Sequence, residues 1–462
     1  MSVSFTPAGY SVQPTQYNYV STYDIVKKAV DPKLVMRFGD EYLTELLGVL
    51  GREVEVENII YSHFENDRLM PKVKVAVAAG GASPQTLTLA STSPTQNIGW
   101  AQTAPYVGSA LTGQGIPVRA GDLLLIPDQS STVNASNYIR AYVESVNQAA
   151  GTFVLYSLDG VAIPAIAANT ELIIYSNMHG EGSAQPRSID RRVFEYSNNT
   201  QIFKETYEWT GTVGSIALWL DGENKFWTPM GEENGIKRCL NYIEMGLILG
   251  EGVTDTTLAN LHGAEPVKST TGLIPEILAK GTVQNYSTLT GYNIDYLKAL
   301  TEELDQQGGS MENWMFLGIK LSGQFDQNLV DYFKNGAVTY ASFSGGKDFA
   351  INIGFKSLTF NNYTFHKRIY KAFNSPQMMG AVGYSFNQEG IVVPADVQTD
   401  SKSGEKISSV RVRTLKGRGM RSEFVDLFKT GDDGQDKLQI RYIAEKGMEV
   451  FAANRFAYIQ VQ

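Results

Sequence analysis

The chain has 462 residues, 43% of them hydrophobic, a net charge of −9 and one cysteine, Cys239. A lone cysteine excludes a disulfide framework within the chain, and mild acidity argues against a protein that coats nucleic acid over its whole surface. Forty-four glycines, sixteen prolines and 11% aromatics suit a β-rich protein with many turns, and the length predicts about two to four structural units. Met1 to Val20 has neither a charged n-region nor an apolar h-region, so no secretory signal is expected. No run of about 18 or more apolar residues occurs, so no membrane span is expected.

Residues 1–36 lack periodicity but carry Pro7, Pro14, Tyr10, Tyr17, Tyr19 and Tyr23. They read as a disordered tail or, with so many tyrosines, as an extended arm lying on a partner, because a rigid aromatic gains contact area cheaply. Tyr42, Leu43, Leu46, Leu47 and Leu50 share one face of a short helix over 40–50, and Glu53 to Glu57 alternates as a strand does.

Residues 71–178 predict a separate β module. Val73, Val75 and Val77 alternate, as do Thr86 to Leu89. Leu123 to Pro127, Tyr138 to Val146 and Thr152 to Tyr156 read as further strands, with Asp159-Gly160 as a turn. Such spacing suggests a small barrel or sandwich inserted into a larger fold. Residues 187–220 are polar and strand-like. Over 232–250 the period becomes helical through Ile236, Leu240, Ile243 and Leu247, with Cys239 beside them. Gly235 and Gly246 inside that helix point to close packing against a neighbour.

Thr290 or Asn293 can cap a helix carrying Ile294, Leu297, Leu300 and Leu304, closed by Gly308-Gly309. A second helix is expected from near Ser322, with Phe325, Leu329, Val330 and Phe333. Strands follow at 350–355, 357–360 and 363–366, then a basic, glycine-containing loop at 401–421. The predicted closing strands are 438–444, 448–451 and 456–461.

Catalytic signatures are missing. His63, His179, His262 and His366 stand at no metal-ligand spacing from one another or from Cys239. There is no HExxH, CxxC, GxSxG or P-loop, and Gly113-Gln114-Gly115 lacks the third glycine of a dinucleotide fingerprint. The histidines read as structural, although a site assembled from distant residues stays open. Cys239 reads as core rather than nucleophile, and Asp295, Glu302 and Glu303 as charges on solvated helix faces. No cofactor or metal is expected, and the chain is not expected to be an enzyme.

Two clusters admit a bland and a functional reading. Arg187, Arg191 and Arg192, beside Asp190 and Glu195, are either surface ion pairs or an intersubunit clamp on a projecting hairpin. Lys402, Lys406, Arg411, Arg413, Lys416, Arg418 and Arg421 are opposed only by Glu405, a local net of +6. They form a mobile solvated loop, or they touch DNA phosphates or an acidic neighbouring subunit, with the protein contact favoured.

Residues 187–250 resemble the major capsid proteins of tailed bacteriophages (Caudoviricetes), the Hong Kong 97-type fold. The resemblance lies in Arg192, Asn199-Thr200-Gln201-Ile202-Phe203-Lys204, Trp209-Thr210-Gly211-Thr212, and the helix with Glu244 and Leu247-Ile248-Leu249-Gly250. The ending, Ile440 to Phe451 followed by Asn454-Arg455-Phe456-Ala457, is similar to that family's closing peripheral strands. These stretches cover less than a quarter of the chain, and their order tells more than any one motif. Among known variants the chain looks most like capsid proteins of crAss-like phages.

The resemblance implies an α+β Hong Kong 97-type fold. Its parts would be an arm and short helix (1–52), a peripheral strand and the start of the extended loop (53–70), and a β-rich insertion domain (71–178). The returning extended loop (179–220), a peripheral domain with spine helix (221–270), an axial α/β domain (271–400), and a basic loop with closing strands (401–462) would follow. It implies self-assembly into hexamers and pentamers of an icosahedral head enclosing double-stranded DNA, bound without sequence preference. The location would be the virion, after assembly in the host bacterial cytoplasm. Portal, auxiliary, head-fibre and scaffold proteins would be partners, with no membrane. Arg187, Arg191, Arg192, Asn199, Gln201 and Phe203 would form the extended-loop contact, Tyr10, Tyr17 and Tyr19 the arm contact, and Arg411, Arg413, Lys416, Arg418 and Arg421 a contact with DNA or a neighbour. The lysine, asparagine and glutamate of the family's crosslink match no positions here, so no crosslink is expected. Competing readings are an encapsulin-type nanocompartment shell, a β-rich glycan-binding surface protein drawing on Trp100 and Tyr106, and a carboxylate-pair glycoside hydrolase.

Overall fold

The computed structural model describes residues 52–66, 73–76, 78, 83–90, 96–98, 114–127, 138–186, 188–190, 193–215, 228–253, 267–335, 356–374, 386–395, 397–399, 406–428 and 435–462. The expected arm, the helix over 40–50 and the strand at 350–355 lie outside these residues. The chain is mixed α/β and strand-rich. It divides into two compact units, one of Asn198–Gln462 with the segment ending at Ile60, the other of Tyr61–Ser197.

In chain order, β1 (Arg52–Val56) and β2 (Ile60–Asn66) precede β3 (Val73–Val75), β4 (Gln85–Thr88), β5 (Gln96–Ile98), β6 (Gln114–Gly115), β7 (Asp122–Pro127), β8 (Tyr138–Asn147), β9 (Thr152–Ser157), β10 (Thr170–Asn177) and β11 (Ile189–Asp190). Next come β12 (Val193–Asn199), β13 (Gln201–Thr210), α1 (Gly211–Ser215), α2 (Thr228–Leu249), α3 (Leu273–Lys280), β14 (Thr282–Tyr286), α4 (Ile294–Gln306), β15 (Glu312–Leu317) and α5 (Ile319–Asn335). The chain then runs through β16 (Ser357–Phe360), β17 (Tyr363–Ile369), α6 (Lys371–Asn374), β18 (Gly390–Pro394), β19 (Val397–Thr399), β20 (Lys406–Ser408), β21 (Val410–Leu415), β22 (Arg421–Asp426), β23 (Lys437–Val450) and β24 (Ala457–Val461).

In the first unit, one sheet has the order β1-β21-β23-β13, with β22 also on β23. Its axis is β23, which buries Ile440, Tyr442, Ala444, Met448 and Val450 on one face, and in its second half also Glu445 and Glu449 on the other. The sequence suggested two strands here. One continuous strand forms instead, because Gly447 simply continues the ladder opposite Arg413.

Helix α2 lies over that covered face. Cys239, Ile243, Leu247 and Ile248 share a core with Phe203, Trp209 and Tyr442, while Ile236 is only partly buried. The helix comes close because it carries glycine where it crosses the sheet. A Cβ at Gly246 would sit 2.6 Å from Phe203 Cε1, and one at Gly235 would sit 3.0 Å from Tyr442 Cε2. The close neighbour is the chain's own sheet.

The second sheet of this unit has the order β14-β24-β18-β15-β17-β16. β14 and β24 are parallel, as are β15 and β17, and the other pairs are antiparallel. Leu297, Leu300 and Leu304 of α4 and Phe325 and Leu329 of α5 pack with Met315, Leu317, Val392 and Ile459. Phe316, Ile391, Val393 and Tyr458 share the other core with α2 and α3. Asn293 caps α4, its side-chain oxygen accepting from Asp295 N–H at 2.9 Å and Tyr296 N–H at 3.3 Å. Helix α5 begins three residues before the expected Ser322. Its first N–H, on Ile319, donates to Asn374 Oδ1 at 2.9 Å, a cap distant in sequence and invisible to a local pattern. β24 forms as expected of a strand over 456–461 and lies between β14 and β18.

The second unit holds a six-stranded sheet ordered β3-β10-β7-β8-β9-β4. Its two ends also meet: Val75 bridges Leu89, Ala76 N–H donates to Thr88 O at 2.8 Å, and Ala90 N–H donates to Lys74 O at 2.9 Å. The sheet is thereby closed into a small barrel, which leaves it no free edge. Its interior is aliphatic with one large aromatic, Phe153, among Val73, Leu87, Leu124, Ile126, Val143, Leu155 and Leu172. With a closed ladder and its own core, a fragment of residues 71–178 is expected to unfold in one cooperative transition. Urea unfolding followed by far-UV circular dichroism checks this.

Candidate assembly surfaces

β2 and β12 form a two-stranded ribbon. At alternate positions His63, Phe194 and Tyr196 interlock, with ring centroids 5.8 Å apart for His63–Tyr196 and 6.2 Å for Phe194–Tyr196. The intervening positions carry Ile60, Phe64 and Val193, which are 59%, 68% and 52% exposed. A two-stranded ribbon is marginal in water on its own, and large apolar side chains left bare on it make it a candidate contact surface.

Where β12 passes into β13, the chain is clamped. Asn198 Nδ2 donates to Met448 O at 2.8 Å and Thr271 O at 2.9 Å, and Asn198 Oδ1 accepts from Thr271 N–H at 2.9 Å. Thr200 N–H donates to Ile59 O at 2.9 Å, and its hydroxyl donates to the buried Glu445 Oε1 at 2.9 Å. Asn198→Ala removes four side-chain hydrogen bonds to backbone groups at once and is expected to destabilise the chain by about 3 kcal/mol, read as a lowered urea midpoint.

The sequence-derived contact residues separate on this frame. Asn199 ends β12 and is half-buried, and Gln201 opens β13, its Oε1 accepting from Thr270 N–H at 3.4 Å. Phe203 corrects the expectation. It is buried in the chain's own core against Gly246, so it offers nothing to a neighbour. Residues 201–210 pair along their whole length with β23 and are part of the body's sheet, not of a projecting loop. Their polarity is that of a strand with one covered face. Arg187, Arg191, Arg192, Tyr10, Tyr17 and Tyr19 lie outside the described residues.

The segment 401–421 was expected to be a basic loop, and its described part is largely strand. β21 and β22 both run against β23, joined by the turn at 416–420. Arg413 reaches Glu449 at 2.6 Å, Arg418 reaches Glu445 at 2.7 Å, and Lys416 reaches Glu57 at 3.4 Å. Arg411 is buried, its guanidinium 5.2 Å from the Phe451 ring centroid. Arg421, at the start of β22, is exposed. Arg413, Lys416 and Arg418 look unopposed in a charge count along the chain because their carboxylates arrive from the turn after β1 and from β23. Lys402 lies outside the described residues.

Burial would push the Glu53 carboxyl up, but the Thr414 hydroxyl and the Lys446 ammonium together bring it below its ordinary value. A depressed carboxyl stabilises the fold above its unfolded pKa, and that stability is lost as pH falls through the folded value. Glu53→Gln is therefore expected to flatten the acid limb of the stability curve, checked by urea midpoints across a pH series.

Among the described residues no three His, Cys, Asp or Glu side chains are grouped to hold a metal, and no helix is long and apolar enough to cross a membrane. Burial raises the Cys239 thiol, which makes it a poorer nucleophile. His63 meets Glu65 at 3.1 Å, and the His366 ring lies 5.0 Å from that of Trp314.

No protein-family model matches the chain, and no curated protein matches it significantly. Among solved structures, a chain from Mycobacterium phage Bobi aligns over 97% of this chain and 99% of its own, at 8% identity and a TM-score of 0.42. A chain from Mycobacterium phage Ogopogo aligns over 62% and 83%, at 12% identity and a TM-score of 0.38. One from the capsid of Myoviridae phage XM1 aligns over 62% and 81%, at 11% identity and a TM-score of 0.36. TM-scores of this size do not by themselves establish a common fold.

Proposed function

We propose that this chain is a shell subunit, the major capsid protein of a tailed bacteriophage with the Hong Kong 97-type fold. It assembles as hexamers and pentamers around packaged double-stranded DNA. The observation that carries the reading is the ribbon of β2 and β12. It is spliced into a helix-on-sheet body between β1 and β13, clamped at its base by Asn198, and bears Ile60, Phe64 and Val193 uncovered. A monomeric binding protein has no use for such a ribbon. A subunit that must cover its copies does, and many modest contacts per subunit sum through multivalency. The similarity of residues 199–212 and of the α2 helix to the family's loop-and-spine order supports the same reading. In it, β2 and β12 belong to the extended loop, α2 is the spine helix, the second sheet is the axial domain, and the barrel is the insertion. Placement with crAss-like phages is part of the proposal.

The test is electron microscopy with light scattering on the purified chain, alone and with its scaffold. Closed shells or capsomers are expected. A chain that stays monomeric with its scaffold present overturns the reading. Shells that hold protein cargo and no DNA point to the nanocompartment alternative.

A further inference from the structure

The second sheet of the body has one face closed by α4 and α5. On β15 and β17, Met315, Leu317, Tyr363 and Phe365 pack on that side, and Lys367 pairs with Asp326 of α5. The alternate residues point to the opposite face. They are Glu312, Trp314 and Phe316 on β15, set beside Thr364, His366 and Arg368 on β17 in parallel register. Phe316 is buried in the core shared with α2 and α3. The others stay open to solvent: Glu312 and Arg368 are exposed, and Trp314, His366 and Thr364 are half-buried. Thr359 of β16 adds a hydroxyl to the same face, its Oγ1 3.1 Å from that of Thr364.

This open face carries one fixed cation and one carboxylate. The Arg368 guanidinium lies 4.7 Å from the Trp314 ring centroid, and the Trp314 ring is 5.0 Å from that of His366. Stacking uses the guanidinium face and leaves its N–H edge for a carboxylate. Glu312 stands two residues before Trp314, on the same side of the sheet. Among the described residues neither Arg368 nor Glu312 has an ion-pair partner.

We infer that this face is a contact between two copies of the chain, related by a two-fold axis that passes beside Trp314. Such an axis sets Glu312 of one copy against Arg368 of the other, and the reverse, so one patch supplies both halves of two ion pairs. Charge selects this occupant. A polyanion would meet Glu312 and a polycation would meet Arg368, whereas a partner with the same two charges in reversed order matches both. An aromatic and an arginine at the centre, with hydroxyls at the rim, is also the makeup of a contact core. The shell reading names no such contact, and the inference takes from it only that copies meet.

The experiment titrates a trace of fluorescently labelled full chain with unlabelled full chain and follows the anisotropy. Parent is titrated with parent, Glu312→Arg with Arg368→Glu, and each variant with itself, so that every other surface is the same throughout. Circular dichroism shows that both variants are folded. A variant paired with itself sets like charges against each other and is expected to bind at least about tenfold more weakly than the parent. The opposite variants restore both ion pairs and are expected to bind within about threefold of the parent. Raised salt should shrink the difference. Opposite variants that bind no better than each variant with itself overturn the inference, as does a parent that does not self-associate. So does Arg368→Glu binding poorly even to Glu312→Arg, because Arg368 would then serve something other than this pair. Shells that form from both variants while the titrations show no difference sink this contact alone. Opposite variants that pair as expected while the parent forms neither capsomers nor shells sink the shell reading alone.

Discussion

Arg413→Ala is expected to destabilise the chain by about 3–5 kcal/mol, whereas Lys416→Ala, three residues away, is expected to change it by less than about 1 kcal/mol. Both are lysine or arginine in the same basic run, and both have a glutamate partner. The difference is solvent. The Arg413–Glu449 pair is 16% and 1% exposed, and the Lys416–Glu57 pair is 65% and 81% exposed. Removing Arg413 takes a 2.6 Å ion-pair partner from the Glu449 carboxylate on β23, in a place water does not reach. Removing Lys416 leaves a carboxylate that water solvates at once. Urea unfolding of the two variants reads the contrast directly. Equal small shifts would mean that the β21–β23 contact opens to solvent in the native state. Arg413→Met, of similar length, separates lost packing from lost charge: it should sit near the alanine variant if loss of the ion pair dominates.

Gly318→Ala is expected to be at least as damaging, on the order of 3 kcal/mol or more. Gly318 joins β15 to α5, and a Cβ there would lie 2.3 Å from the carbonyl oxygen of Asn387 and 2.4 Å from its carbon. Those are backbone atoms, so no side-chain rotation relieves the clash. The same backbone hold positions the first turn of α5: Gly318 N–H donates to Glu389 O at 2.8 Å, and Ser322 N–H donates to Gly318 O at 2.9 Å. Thermal unfolding measures the loss. The neighbouring Gly323→Ala, whose Cβ meets nothing within 4 Å, is the matched control and should be neutral or slightly stabilising.

The sequence made some of this legible and hid the rest for identifiable reasons. Strong local signals were readable. Asn293 as a cap, the apolar face of α4 and the alternation of β4, β8 and β9 depend on neighbours a few residues away. Gly246 and Gly235 inside α2 pointed correctly to close approach, though not to what approached. Features decided by distant partners were not readable. The run 406–421 looks like an unpaired basic loop until β1 and β23 bring Glu53, Glu57, Glu445 and Glu449 beside it. Phe203 looks like one more residue of a polar strand until α2 lies over it. The start of α5 waits on Asn374.

The position of β24 has a consequence for how the chain must be made. It follows both β14 and β18 in the order of synthesis, yet it sits between them, hydrogen-bonded to β14 on one side and β18 on the other. A nascent chain that has reached β23 has all of the first sheet's strands but still has a gap in the second. β14 and β18 then each present an open backbone edge, with Tyr286, Ile391 and Val392 beside it. Folding cannot run to completion from the N-terminal side, because the pairing of β14 waits for a strand about 170 residues later. That delay separates two events in time. Local units such as the barrel of β3, β4 and β7–β10 can close early, while the body holding α2 and the ribbon's base stays unfinished until Ala457–Val461 arrives. Chains truncated before that point would offer strand edges to one another in place of finished faces.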